Sequence, residues 1–232
     1  MTKPLTLCIY TNCTDFNSGD SSLLANTVNS FDSVFSINDY IEEIFVFLDP
    51  NPNTSNLRIY QNSIFEFFNS RRFPTVKFIV TDSLSRGYLN SLNFAKTKYL
   101  FQLEHDWEFI QVNIRHNLED IVKMMYFNNL KYLRFNKRDN IVAGLDFLME
   151  ELPVHDSPIK VCKTNNISNN PHIIDRERYI SDGIHKMIKL SKLSFGIEEE
   201  LTKKLAFTGV VYGPKFHPAT IRHTDGKIRH IK

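Results

Sequence analysis

Short apolar runs alternate with amphipathic stretches along the first half of the chain. Four runs of five or six residues, with the apolar, β-branched and aromatic content of buried strands, lie at 5–10, 44–48, 75–80 and 99–103. Between them, apolar residues at helical spacing predict three helices, one through Leu24, Val28 and Phe31, one over 56–68 and one over 88–96. Strands that alternate with helices predict an α/β fold with a mostly parallel central sheet and right-handed crossovers.

The pattern changes after residue 106 and becomes α+β in character. The predicted elements of this half are a helix over 118–129, strands over 132–135 and 159–163, helices over 176–190 and 198–205, and short strands at 210–212 and 221–223. The Asn-rich stretch 165–172 is predicted to be a polar loop outside the core. Because no linker divides the chain, we predict a single domain over 1–232.

Polar side chains follow each of the four predicted strands of the first half. They are Thr11 and Asn12 after the first strand, Asp49 after the second, Arg86 after the third, and Glu104, His105 and Asp106 after the fourth. Parallel strands end at one edge of their sheet, and the crevice at that edge is where open α/β sheets bind ligands. Two acids separated by one residue suit Mg²⁺ or Mn²⁺, which also hold phosphates. The alternatives are a solvated acidic turn at 104–106 and a turn aspartate before proline at Asp49.

The composition indicates a soluble globular protein. Of the 232 residues, 42% are hydrophobic and 23% are charged, and the net charge of +2 gives no electrostatic footprint for nucleic acid. No apolar run approaches the ~20 residues that cross a bilayer, so we expect no transmembrane segment. The first residues lack the apolar core of a signal peptide. The three cysteines, odd in number and without metal-ligand spacing, favour reduced thiols and a cytoplasmic location.

Three stretches carry a resemblance to a known family. The first runs from the Asn-containing helix at 89–95 through the apolar strand to Glu104-His105-Asp106-Trp107, and the others are 196–201 and 212–226. Together they resemble a small nucleotide-sugar-dependent glycosyltransferase of the GT-A fold, of the family 2 type. The tripeptide 104–106 is similar to its Asp-X-Asp motif, with Glu104 in place of the first aspartate. The resemblance implies a nucleotide-sugar-binding half at 1–110 and an acceptor-side half at 111–232.

The resemblance also implies a divalent cofactor, Mn²⁺ or Mg²⁺, that neutralises the donor's diphosphate. Asp106 is the first choice as its direct ligand, His223 the second and Glu104 the third. Glu104 is also expected among the donor-binding residues, where it reaches the ribose, or the metal through water. An imidazole ligand favours Mn²⁺. His217 and His230 lie close to His223 in sequence and are alternatives to it.

The other donor contacts are predicted at the remaining strand ends. Thr11 and Asn12 flank the base, and Asp49 accepts a hydrogen bond from a ribose hydroxyl or a base NH. The planar fork of donors on Arg86 suits the diphosphate, with a solvated surface position as the alternative. Asn93 is predicted to hold the loop that carries Arg86.

The catalytic base is predicted in the acidic cluster at 198–200, which resembles the helix start that carries the base in inverting members of the family. An N-terminal helix dipole favours ionised carboxylates there. Glu199 is the first choice and Glu198 the second, since a base must reach the acceptor hydroxyl across the sugar from the diphosphate. The remaining acids of the cluster are first-turn helix residues.

The acceptor side is predicted to include an aromatic face and two basic residues. Trp107 offers a flat surface on which a sugar ring can stack, with a core position as the alternative. His172 and Arg176 follow the Asn-rich loop and are predicted to line the acceptor site.

We therefore expect an inverting, metal-dependent glycosyltransferase of hexosyl or deoxyhexosyl type that serves glycan biosynthesis. Its donor is a nucleoside-diphosphate sugar, with a UDP-sugar as the first choice, and its acceptor is a hydroxyl of a glycan or another molecule. One alternative is a non-catalytic module that binds nucleotide sugars or carbohydrate. The other is a glycoside hydrolase, which also needs two carboxylates.

Overall fold

The computed structural model describes residues 3–12, 19–49, 56–144, 146, 148–182 and 209–224. The helices of this part are α1 (Ser22–Phe35), α2 (Ile37–Tyr40), α3 (Leu57–Asn69), α4 (Leu84–Phe94), α5 (Leu118–Phe127) and α6 (Arg176–Ser181), with a 3₁₀ turn at Gln111–Asn113. The strands are β1 (Leu5–Asn12), β2 (Ile41–Asp49), β3 (Thr75–Val80), β4 (Tyr99–Glu104), β5 (Trp107–Phe109), β6 (Tyr132–Arg134), β7 (Glu151–Leu152), β8 (Val161–Thr164), β9 (His172–Asp175), β10 (Gly209–Tyr212) and β11 (Ile221–His223).

The four strands of the first half form the parallel sheet that the sequence predicts. β1 lies between β2 and β4, and β3 pairs with the outer side of β2, all in parallel. The register sets Asn12 beside Asp49, and Tyr10 beside Glu104. The polar residues that end β1, β2 and β4 therefore lie together at one edge of the sheet, as predicted.

Among the described residues, the sheet continues into the second half and has nine strands in the order β3-β2-β1-β4-β9-β6-β10-β8-β7. β9 is antiparallel to both β4 and β6, while β10 is parallel to β6. β8 is antiparallel to β10 and to β7. Seven of the nine strands thus point in one direction and only β8 and β9 oppose them. The predicted α/β fold with a mostly parallel central sheet is confirmed.

Helices pack on both faces of β1, β2 and β4, which explains why these strands are mostly apolar, whereas β3 at the edge of the sheet is partly exposed. Leu7 and Ile9 of β1 belong to the core cluster that contains the apolar stripes of α1 and α3. Cys8 and Tyr10, on the opposite face, pack in the cluster that contains residues of α4. Each large side chain buried in this way contributes about 1.5–3 kcal/mol.

Helix α4 begins at Leu84, four residues before the predicted start at 88. The side chain of Ser83 caps it by accepting a hydrogen bond of 3.2 Å from the backbone N–H of Arg86. Gly87 lies against Tyr10, where a Cβ atom would stand 3.0 Å from the ring. The glycine lets the helix approach closely enough for Tyr88 to stack on Tyr10 with ring centroids 4.3 Å apart.

Two strands that the sequence analysis did not predict are important for the site. One is β5, which pairs antiparallel with β11 in a separate two-stranded sheet. The other is β9, whose first residue belongs to the stretch 165–172, predicted to be a loop outside the core. That prediction is wrong at the end of the stretch, because Asn170 and His172 are buried and β9 fills the gap between β4 and β6.

Two further predictions concern helices and cysteines. The helix predicted over 176–190 begins at Arg176 and extends to Ser181 in the described part, while 183–190 and the helix over 198–205 lie outside the described residues. Cys8 and Cys162 are buried free thiols.

No helix in the described ranges is long and apolar enough to cross a bilayer. The cytoplasmic location stays a prediction.

A buried ion pair joins the strands of the second half. Arg134 in β6 places Nη2 2.6 Å from Oδ1 of Asp146, and both side chains are almost fully buried. The hydroxyl of Thr164 in β8 donates to the same carboxylate oxygen at 2.8 Å, and Nη1 of Arg134 donates to the carbonyl of Asn166 at 3.0 Å. Each partner compensates the charge of the other in an environment that excludes water. Three separate segments of the second half are joined by this pair and its hydrogen bonds.

We expect Asp146→Ala to lower the free energy of unfolding by about 3–5 kcal/mol, since it leaves the Arg134 guanidinium buried without its counter-ion. Urea denaturation measures the loss. Glu119→Ala is the matched control, because it breaks the exposed pair with Lys123 at 2.7 Å and should leave the midpoint unchanged. Equal midpoints for the two variants would contradict a stabilising role for the buried pair.

Candidate functional site

The turn between β4 and β5 is tied down by hydrogen bonds from three separate segments. The backbone N–H of His105 donates to the carbonyl of Tyr10 in β1 at 3.0 Å. The hydroxyl of Thr27 in α1 donates to the carbonyl of His105 at 2.7 Å. Thr224, just after β11, donates to the carbonyl of Asp106 from its N–H at 2.8 Å and from its hydroxyl at 2.9 Å. The acidic turn is therefore a fixed part of the structure.

Asp106 and His223 form a close pair beside this turn. The antiparallel register sets His223 opposite Trp107, and Nε2 of His223 lies 3.1 Å from Oδ2 of Asp106. Burial alone would raise the pKa of Asp106, but the hydrogen bond from His223 and the nearby charges of His105 and His223 outweigh it and lower the pKa. The Asp106 carboxylate is thus held ionised, as a metal ligand must be.

The second carboxylate oxygen of Asp106 is the feature that fits a cation. Oδ1 is buried and accepts no hydrogen bond from any described residue. A buried carboxylate oxygen without a donor is costly, and a divalent ion would satisfy it. Together, Asp106 and His223 offer one hard oxygen and one imidazole nitrogen, a set that suits Mn²⁺.

The protein supplies only part of a coordination shell in the described ranges. Among those residues, no group of three His, Cys, Asp or Glu side chains is arranged to hold a metal ion. A site with so few protein ligands is typical of ions that share their coordination with water and substrate phosphates. The third predicted ligand, Glu104, lies on the adjacent cleft.

That cleft opens at the carboxyl edge of β1, β2 and β4 and has a volume of about 90 Å³. Its lining includes four of the predicted donor-binding residues, namely Thr11, Asn12, Asp49 and Glu104. His105 lines it as well and connects it in sequence to Asp106. A volume of this size, below the roughly 300–1,000 Å³ of complete ligand pockets, fits one ring of a nucleotide.

Asp49 provides the strongest acceptor in the cleft. It is half-buried at the end of β2, and burial followed by the negative charge of Asp82 raises the pKa of its carboxyl group. An ionised carboxylate in such surroundings is stabilised by a ligand NH or OH donor. Thr11, by contrast, is fixed from below by a hydrogen bond with the hydroxyl of Tyr60.

Four residues of the cleft were not predicted from the sequence. Tyr10 and Phe47 form its apolar wall, and Thr81 and Leu84 border it from the end of β3 and the start of α4. Thr81 carried a signal that could have identified it, because it directly follows β3 at the same edge of the sheet. The apolar residues carried none, since an aromatic residue inside a strand is usually only core.

Arg86 and Asn93 lie away from the cleft lining. Arg86 is exposed in the first turn of α4 and places Nε 3.7 Å from Oδ1 of Asp82, which is also exposed. Asn93 is exposed in the last turn of α4, near the amino edge of the sheet because β4 begins shortly afterwards. The structure thus separates Asn93 from the loop that it was predicted to hold, because the full helix lies between them.

The three predicted acceptor residues need correction. Trp107 is a core residue with only 4% of its surface exposed, and its ring is covered by His223 at 4.6 Å and by the ammonium of Lys137 at 5.9 Å. It therefore has no open face for a sugar. Arg176 donates from Nε to the carbonyl of Leu92 at 2.6 Å, at the amino edge of the sheet, opposite the site.

His172 lies at the carboxyl edge but inside the protein. It is buried between Tyr88 and Tyr132, with ring centroids 6.2 and 5.0 Å away. Burial lowers its pKa to about 4. The hydrogen bond that it donates to the carbonyl of Asn170 would raise the pKa, but the effect of burial is larger. We conclude that His172 is a packing residue in the described structure and is too buried to contact an acceptor.

The remaining candidates divide into two groups. Glu198 and Glu199, the predicted bases, and His230 lie outside the described residues. His217, the other alternative to His223, places Nε2 2.8 Å from the carbonyl of Asn113. Of His217 and His223, His223 is therefore the one that contacts Asp106.

Comparisons with known proteins identify the fold. No protein-family model gives a significant match to the chain. No curated protein sequence does so either. Solved structures do match. Residues 1–349 of TarS from S. aureus align with a TM-score of 0.56 and 13% identity over 95% of this chain and 60% of that one.

Two further structures contain a metal and donor components. The mannosyltransferase PcManGT from Pyrobaculum calidifontis, in complex with GDP-Man and Mn²⁺, aligns with a TM-score of 0.55 and 10% identity, over 86% of this chain and 50% of that one. GalNAc-T7, with UDP, GalNAc and Mn²⁺, aligns with a TM-score of 0.60 and 12% identity over 94% of this chain and 42% of that one.

These likenesses establish the class of fold. The chain has a GT-A-like glycosyltransferase fold, as the sequence resemblance implied. It spans between 42% and 60% of the length of the three matched chains. At identities of 10–13%, the shared fold does not by itself transfer an activity.

We expect His172 to make stability depend on acidity. Its pKa is about 4 in the folded protein and near 6.5 when unfolded, so below pH 6.5 the unfolded chain binds the extra proton. The free energy of unfolding should therefore fall by about 2 kcal/mol from pH 7 to pH 5 through this group, and the decline should end below pH 4. Urea denaturation at a series of pH values measures it.

His172→Gln should reduce this slope, whereas His155→Gln, which removes an exposed histidine, should preserve it. Wild-type acid sensitivity in His172→Gln would show that burial of this imidazole is not the cause.

Proposed function

We propose that the protein is a metal-dependent glycosyltransferase that moves a sugar from a nucleoside-diphosphate donor to a hydroxyl acceptor. The observation that supports this most directly is the Asp106–His223 pair. It presents a buried carboxylate oxygen that accepts no hydrogen bond from the described residues, directly beside a cleft lined by Asp49 and Glu104. The GT-A-like fold is shared with proteins whose structures hold UDP, UDP-GlcNAc or GDP-Man, which supports a nucleotide-sugar donor.

The roles of the described residues follow from their positions. Asp106 and His223 would hold Mn²⁺, or alternatively Mg²⁺, which as a Lewis acid supplies neutralisation of the departing diphosphate. Asp49 accepts hydrogen bonds from the nucleoside, and Thr11 and Asn12 bound the base. Glu104, at the junction between cleft and turn, orients the ribose.

The finer parts of the proposal concern the sugar, the base catalyst and the acceptor. A UDP-sugar is the first choice of donor, and the transferred group is a hexosyl or deoxyhexosyl unit. Glu199, with Glu198 as the alternative, is proposed to remove the acceptor proton in an inverting reaction. The residues up to 110 form the donor half and those from 111 the acceptor half, with a glycan as the acceptor.

A non-catalytic module that binds nucleotide sugars is the second candidate. The fold and the cleft serve binding equally well, so turnover decides between the two. Release of nucleoside diphosphate from a UDP-sugar in the presence of Mn²⁺ and acceptor supports the transferase. Donor binding without turnover for UDP- and GDP-sugars with a panel of glycan acceptors would support the module.

We expect a nucleoside diphosphate to stabilise the protein in a metal-dependent way. At about 100 times its dissociation constant, UDP with Mn²⁺ should raise the melting temperature by about 5–10 °C for a protein of this size. Asp106→Asn should reduce that shift to about 1 °C, because the amide is a far poorer ligand than the carboxylate. A thermal-shift panel of UDP, GDP, dTDP and CDP with and without Mn²⁺ makes the measurement.

Asp82→Asn is the matched control, since it makes the same substitution at an exposed carboxylate, which lies 3.7 Å from Nε of Arg86. Its thermal shift should equal that of the wild type. A shift in Asp106→Asn as large as in the control would remove Asp106 from the metal site. Indifference of the wild type to all four nucleotides would reject the proposed function.

We expect Asp49→Asn to weaken binding of UDP in the presence of Mn²⁺ by about tenfold or more, because the ligand loses a charged hydrogen-bond acceptor. Asp82→Asn should leave the dissociation constant within about twofold, since that side chain is exposed and pairs with Arg86. Isothermal titration calorimetry measures both. Equal losses in the two variants would indicate a general charge effect instead of a contact by Asp49.

A further inference from the structure

A second cavity, of about 270 Å³, opens in the acceptor-side half. One wall is the segment 112–116 that precedes α5, and the other is the loop 213–218 that connects β10 to β11. Lys160, just before β8, and Tyr212, the last residue of β10, complete it. Because β10 runs in the direction of β4 and β8 runs against it, both residues lie at the same sheet edge as the donor cleft.

The fixed charges on the lining of this cavity are all positive. Arg115, in the segment 112–116, and Lys160, just before β8, are both exposed, and no Asp or Glu belongs to the described lining. Their side chains form no ion pair with any residue in the described ranges. Two cations facing one concave space without a counter-ion create a positive potential that attracts an anion.

His116, in the lining, is influenced by that potential. Burial lowers the pKa of His116, and the charges of Arg115 and His217 lower it further, whereas Asp120 opposes them without lining the cavity. His116 is fixed by a contact of 2.7 Å between Nδ1 and the hydroxyl of Tyr212. The cavity therefore has polar walls as well as charge.

The loop wall is held in place by the buried side chain of Asn140. Its Nδ2 donates to the carbonyls of Tyr212, Gly213 and Pro214 at 2.9, 3.2 and 3.1 Å, and its N–H donates to the carbonyl of His217 at 2.9 Å. Gly213 has φ of +92°, and a Cβ atom there would overlap the ring of His217. The cavity is thus preformed, which limits the entropy lost on binding.

We propose that this cavity binds a phosphate or carboxylate group carried by the acceptor, so that the acceptor is an anionic glycan. The guanidinium of Arg115 and the ammonium of Lys160 are the groups that would contact the anion. That the ligand is the acceptor rests on the function proposed above, whereas anion binding rests on the cavity alone.

The position of the cavity agrees with an acceptor subsite. His217, on the wall of the cavity, lies six positions before His223 at the proposed metal site, so the Cα atoms of the two residues are no more than about 22 Å apart. A glycan of a few sugar units spans such a distance. An acceptor could therefore place one anionic group here while its terminal hydroxyl reaches the donor.

Calorimetric titration at low salt tests the inference with three probes: glucose 6-phosphate, inorganic phosphate and glucose. We expect glucose 6-phosphate to bind the wild type at least tenfold more tightly than the double variant Arg115→Gln/Lys160→Gln. Lys215→Gln is the matched control, because Lys215 is exposed on the same loop but does not line the cavity, and it should bind like the wild type. Glucose should give no measurable binding.

Equal affinity of the double variant and the wild type for glucose 6-phosphate would overturn the anion site. Inorganic phosphate binding as tightly as glucose 6-phosphate would overturn the assignment to a sugar-borne group. The thermal shift with UDP and Mn²⁺, measured on the same samples, should be unchanged in the double variant and reports its folding. Absence of that thermal shift in the wild type would reject the glycosyltransferase function. The titrations with glucose 6-phosphate and inorganic phosphate would still show whether the cavity binds anions.

Discussion

The site depends on the pairing of β11 with β5, two strands of three residues each. This pairing returns a segment 118 residues further along the chain to the acidic turn, where Thr224 donates twice to the carbonyl of Asp106. Arg222 and Glu108 hold the register through a bidentate contact. A slip by one residue would exchange the faces of β11 and turn His223 away from Asp106. The geometry of the metal ligands is thus decided by a few backbone hydrogen bonds.

The linings of the two cavities carry charges of opposite sign, and this would give the proposed metal ion a physical purpose. Asp49 and Glu104 line the cleft, with Asp106 directly beyond it. A diphosphate that enters such surroundings is repelled by them unless a divalent cation lies between, since like charges interact strongly where water is partly excluded. The cationic cavity needs no such mediator. One sheet edge can therefore bind two anionic groups by different means.

The sequence predicted the parallel half of the fold and the positions of four residues that line the cleft, because both follow from one rule. Apolar runs identify parallel strands, and the residues after them must share an edge, as Asn12, Asp49 and Glu104 do. The prediction for Arg176 could not use this rule, because β9 was not predicted; β9 runs against β4 and ends at the opposite edge. Strand direction is set by pairing partners far away in the chain, which no local pattern records. The prediction that Trp107 offers an open face to a sugar was wrong for a related reason, since its burial depends on the distant strand β11.

The reversed direction of β9 has a consequence for how such a protein can change. Strands that run with β4 present the loops after them to the site, but β9 presents the loop before it, 165–171, at that same edge. The strand itself is fastened on both sides, by β4 and by β6. Substitutions in 165–171 can therefore alter this edge, but Asn170 is buried and the carbonyl of Asn166 accepts a hydrogen bond from Arg134 in the sheet. The edge that carries the proposed donor site is thus built from the ends of forward strands and from the segment before one reversed strand.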